Sequence, residues 1–150
     1  MAATTSIRWA VARRILDLLS GHPNLLDVTV RPSFPGDNTG PLAVWIGDIV
    51  GEIDIPVMTA GRKIRDDIFE VKVVVRAQGQ PDVDTACEAV EALVEAVEDV
   101  LADAPSLDDF DGVIDATNTG TREGPDRFDM GAAGWMAVSR TSIVVHSRLE

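Results

Sequence analysis

Apolar side chains recur along this chain at two periods, and the switches between them outline a fold. Residues 6–19, "SIRWAVARRILDLL", carry Ile7, Val11, Ile15, Leu18 and Leu19 at helical spacing. Thr5 or Ser6 is placed to cap the start of that helix, and Gly21 with Pro23 marks its stop. "LLDVTVRPSF" predicts a short strand, ended by the turn-forming "PSFPGDNTGP". "PLAVWI" and "GEIDIPV" predict two strands, or one strand bent near Gly47 and Gly51. In the second of these, Ile53, Ile55 and Val57 alternate with Glu52 and Asp54, which makes one face buried and one wet. "MTAGRK" supplies a hairpin tip at about 57–66, and "DIFEVKVVVRAQ" returns with the clearest alternation in the chain. There Phe69, Val71, Val73, Val75 and Ala77 face one way; Glu70, Lys72, Val74, Arg76 and Gln78 face the other.

Pro81 ends that strand, and Asp82 or Asp84 can cap the next element, a long helix with Ala86, Val90, Leu93, Val94, Val97 and Leu101 on one stripe. After Pro105, "DGVIDATNTGT" predicts a strand running into a polar, glycine-bearing loop at about 117–134. "GWMAVSRTSIVVHSRL" closes as a last strand, with a bulge expected at 139–142, where the alternation slips. Without repeats or alternating βαβ units, this order predicts one α+β domain over 1–150, with a mainly antiparallel sheet.

Charge changes the picture at one place. The chain has 13 Lys and Arg against 25 Asp and Glu, a net charge of −12, and no cation between Arg76 and Arg122. Glu88, Glu91, Glu95, Glu98 and Asp99 stand opposite the long helix's apolar stripe. With Asp84 and Asp103 they make six like-charge pairs at three or four residues, which together cost about 1–3 kcal/mol. Burying a single large aliphatic side chain contributes about 1.5–3 kcal/mol, so packing on a sheet holds the helix without a metal. A solvated face is the plain reading of these acids; a surface that meets a basic partner is the functional one. The acidic balance opposes DNA- or lipid-binding surfaces, which gather Lys and Arg. The one cysteine, Cys87, excludes an internal disulfide and a thiolate zinc cluster and points to folding inside the cell. No apolar run reaches the roughly 18–20 residues of a membrane span, and the N-terminus does not read as a signal peptide.

Candidate chemistry adds little. His22 lies past a helix end and His146 within the last strand, and no stretch suggests a nucleophile with a base and an orienting partner. "SLDDFDG" lacks the ligand spacing of a calcium loop. "GDNTG", "GTREG" and "GAAG" read as turns, since none opens a helix after a strand. No catalytic, metal or cofactor residues are assigned. Trp9, Trp45 and Trp135 are apolar anchors, and Trp45 and Trp135, near strand ends, are candidates for a subunit contact. Arg62, Lys63 and Arg65 cluster at the hairpin, either as a solvated turn or as a basic prong that meets an acidic surface.

The order of elements carries a resemblance. A leading helix precedes "VRPSFPG" and "PLAVWIGD"; a hairpin returns through "RDDIFEVKVVVRAQG" into "DTACEAVEALVEAVEDVL"; the chain finishes near "GWMAVSRTSIVVHS". This resembles the tail terminator (tail completion) proteins of long-tailed bacteriophages over nearly its whole length. "NTGTREGPDRFDMGAAG" has no match in that pattern. The resemblance implies a virion structural protein without catalysis or cofactor, a homohexamer ring that ends the tail tube and meets the head-side connector. Its location would be the head-proximal end of the tail, after folding in the host cytoplasm. DNA would pass through the ring unbound, past acids lining the lumen. A head-closure or head–tail adaptor protein is the alternative in the same class. A metal-dependent small enzyme and an acidic adaptor module are the rivals outside it.

Overall fold

The computed structural model describes residues 7–36, 40–59, 62–108 and 110–149; of 52–59, 62–66, 119–121 and 149 it describes the backbone course alone. Helix α1 (Arg8–Ser20) leads through a 3-10 turn to strand β1 (Thr29–Arg31). Strands β2 (Leu42–Thr59) and β3 (Arg62–Gln80) form a long hairpin, followed by helix α2 (Val83–Ala102) and strands β4 (Val113–Asp129) and β5 (Trp135–Leu149). The sheet order is β1-β2-β3-β5-β4. β1 runs parallel to β2 and every other pairing is antiparallel, an α+β fold as the patterning predicts.

Both helices pack on one face of this sheet. Val11, Ile15 and Leu19 of α1 and Val90, Leu93, Val94, Val97 and Leu101 of α2 are buried there. They meet the inward row of β3, with Val44 and Ile46 from β2 and Ile143 and Val145 from β5. Helix α2 starts at Asp82, whose carboxylate accepts the Thr85 backbone N–H at 2.7 Å. Helix α1 has Ile7 at its N-cap and no side-chain cap; Thr5 and Ser6 lie outside the described residues.

Of the two alternatives for "PLAVWI" and "GEIDIPV", the structure has the single strand, with the pairing shifted between Ile46 and Ile49, beside Gly47. At Gly51 the strands approach so closely that a Cβ would lie 2.4 Å from the Ile68 carbonyl oxygen, so only glycine fits. Two other local expectations change. The segment expected as a loop at 117–134 is strand as far as Asp129, then a 3-10 turn at Gly131–Ala133. As an edge strand, β4 needs its ladder on one side alone, and β5 supplies it; Gly124 and Pro125 are therefore tolerated. The irregularity expected at 139–142 belongs to the partner: β5 stays in register with β3 there, whereas β4 slips between Asn118 and Arg122 and between Glu123 and Asp126.

Candidate interaction surfaces

Helix α2 turns its carboxylates outward. Glu88, Glu91, Glu95 and Asp99 are exposed. Glu98 is the exception, because Arg122 of β4 reaches across and holds it through Nη2 and through Nε at 3.2 Å. The Arg122 guanidinium is held above its ordinary pKa, first by the Glu98 hydrogen bond, which burial opposes, and further by the charges of Glu98, Glu95 and Glu91. The acidic stretch thus has a cation close by, supplied from the strand that the sequence pattern leaves as a loop.

Beside the acidic face lies a cleft of about 480 Å³ between α2 and the segment entering β1 and β2. Val28, Leu42, Ala89, Ala92 and Ala96 give it an apolar floor. Asp27, Glu95 and Asp99, all exposed, stand on its rim. The small side chains of α2 leave the room, and the acids edge it.

Among the described side chains, the helix-free face of the sheet is closed at one end. Trp45, Val74 and Ala43 form a second small core there, partnered by Val138. The loop after β1 crosses this end: Phe34 meets Trp45 edge-on at 5.4 Å between centroids, and Arg76 donates from Nη1 to the Gly36 carbonyl at 3.0 Å. The Arg76 guanidinium lies 5.7 Å from the Phe34 ring and 5.4 Å from the Trp45 ring, so an arginine on the polar row is 2 % exposed. Trp45 is therefore buried, and Phe34 above it is 60 % exposed. Trp135 is half-buried at the start of β5, packed against the main core. Farther along the open face, Lys72 bonds Glu123 at 3.0 Å, which raises the lysine's pKa, and Val50 and Ile68 are exposed.

Arg62, Lys63 and Arg65 head β3, paired with Thr59, Met58 and Leu149; their side chains lie outside the described part of the structure. Another ion pair has no signal in the sequence pattern. Arg8 grips the fully buried Asp67 with Nε at 3.0 and 3.2 Å and Nη2 at 2.7 Å, and stacks over Phe69 at 5.5 Å. That bond lifts the Arg8 pKa against the opposing effect of burial, and it anchors the start of α1 to β3.

Among the described residues the titratable groups form no chemical constellation. His22 Nδ1 accepts the Asn24 backbone N–H in a turn, His146 is half-buried in β5, and Cys87 packs at the margin of the core. Among the described residues no three His, Cys, Asp or Glu gather as a metal site, and no helix is long and apolar enough to cross a membrane.

No protein-family model matches the chain, and no curated protein matches it. A solved structure does. The chain is similar, at a TM-score of 0.52 and 16 % identity, to a chain of the "Virion of native gene transfer agent (GTA) particle", and the likeness covers 97 % of this chain and 99 % of that one. At that identity, the shared property is the fold.

Proposed function

We propose that this chain is a structural protein of a virion and, within that class, a tail terminator: a six-fold ring that ends the tail tube and meets the head-side connector. The observation that carries the reading is the likeness to a virion chain, which covers nearly the whole of both chains. The element order that resembles tail terminators supports the finer assignment. The role is assembly and not catalysis, and it takes no cofactor. The exposed Glu88, Glu91, Glu95 and Asp99 fit a lumen that repels phosphates and lets DNA slide. Charge reversal there, in a ring that still closes, is expected to slow DNA delivery; unchanged delivery would remove the lumen from the proposal.

The test is native mass determination, followed by electron microscopy of tail tubes mixed with the protein. Closed six-copy rings and capped tube ends are expected. A protein that forms no ring and caps no tube overturns the reading. Because the solved neighbour is named for its whole particle, a head-closure or head–tail adaptor position is the second reading. It predicts binding to the connector and bare tube ends.

A further inference from the structure

The β2–β3 hairpin outruns the sheet. Among the described residues, β5 accompanies β3 as far as the pair Arg65↔Leu149, and β1 accompanies β2 at Ala43, Val44 and Trp45. Beyond Arg65, among the described residues, the pairs Val57↔Ile64, Met58↔Lys63 and Thr59↔Arg62 continue as a two-stranded ribbon with no flanking strand. A bare two-stranded ribbon is marginal in water and gains stability from a surface to lie on. Its sequence offers Arg62, Lys63 and Arg65 together with Val57, Met58 and Ile64, a basic segment that is also apolar.

The cleft beside α2 has the complementary chemistry, an apolar floor at Val28, Leu42, Ala92 and Ala96 inside a rim of Asp27, Glu95 and Asp99. The ribbon cannot reach the cleft of its own chain. Leu42, in the cleft floor, begins β2, and Thr59, in the ribbon, ends it. At about 3.3 Å per residue these lie about 56 Å apart along one strand.

We infer that the ribbon of one copy seats in the α2 cleft of the next. Such a contact joins two different patches, so it is heterologous: repeated, it closes a ring or runs into a filament. Opposite charge on the two patches sets register and speeds encounter, while the apolar floor supplies the desolvated centre. The inference deepens the ring reading and rests on it for closure; the ribbon-to-cleft contact is testable by itself.

Two proteins made in a Cys87→Ala background, one bearing Arg62→Cys and the other Ala92→Cys, are mixed and oxidised. A mixed disulfide that needs both cysteines is expected. In parallel, reversing Arg62 and Lys63 to Glu is expected to weaken self-association about tenfold or more at low salt. Adding Glu95→Lys and Asp99→Lys to the same chain should restore it. Oligomers of the unmodified protein with no mixed disulfide, and with unchanged assembly after charge reversal, overturn the contact and leave the ring standing. An unmodified protein that stays monomeric at every concentration also overturns the contact; capping of tube ends then decides the ring reading separately.

Discussion

Neighbouring residues of β3 live in different surroundings. Phe69, Val71, Val73, Val75 and Ala77 are at most 1 % exposed beneath the helices, an even and fully covered row. The alternate row is graded: Ile68 is 43 % exposed at one end, Lys72 makes a surface ion pair in the middle, and Val74 and Arg76 are buried at the other end. The covered row owes its burial to two helices with apolar stripes, and so does not depend on any one contact. The graded row owes its burial to a loop, Phe34 and Gly36, and stops where the loop stops. A face built by helices is continuous, whereas a face built by a loop has an end, and beyond that end the sheet shows an ion pair and then the exposed Val50 and Ile68.

Adjacent substitutions break this contrast most directly. Phe69→Ala removes a fully buried ring and is expected to cost about 3–5 kcal/mol in urea unfolding. Next in size is Arg8→Ala, which leaves Asp67 buried without its guanidinium and is expected to cost about 3 kcal/mol. Asp67→Ala should cost less, about 1–3 kcal/mol, because the remaining Arg8 is 27 % exposed and reaches water. Equal costs would mean that the pair is not what anchors α1.

On the open face Phe34→Ala is expected to cost about 1 kcal/mol, the worth of an edge-on aromatic pair. It should also make Trp45 accessible to acrylamide quenching, read in a background with Trp9→Phe and Trp135→Phe, where Trp45 is the one tryptophan left. Unchanged quenching would mean that the loop does not cover the tryptophan. Asp82 sharpens the picture at the helix start. Its pKa lies below the ordinary value because the Thr85 backbone N–H, and then its side chain, bond the carboxylate. A lowered folded pKa gives stability that is present above the unfolded value and lost as pH falls through the folded one. Asp82→Ala should therefore lower the urea midpoint at neutral pH and flatten its fall below about pH 4. Smallest of all, Ile68→Ser, beside Phe69, should move the midpoint by within about 0.5 kcal/mol.

Much of this was legible in the chain. The helical stripe from Ala86 to Leu101 and the two-residue alternation from Phe69 to Ala77 dictate an amphipathic helix on a half-buried sheet, because each period places its apolar side chains on one face. The outward acids of α2 follow from the same stripe. The length of β4 was not legible, since "NTGTREGPDRFD" has turn composition and becomes a strand only because β5 supplies a ladder. Nor was the cation for Glu98, which arrives on that strand 24 residues away.

What the sequence by itself determined is the set of elements, their apolar sides and the strong negative charge, all properties of local spacing and composition. Only the tertiary structure decided that Arg76 and Asp67 are buried, that Trp45 lies under Phe34, and that the hairpin runs on past β5 while a cleft opens at its other end. These depend on which distant segments meet. The arginine sits among two rings and a carbonyl, and the aspartate against a guanidinium, and local patterning carries no trace of either partner.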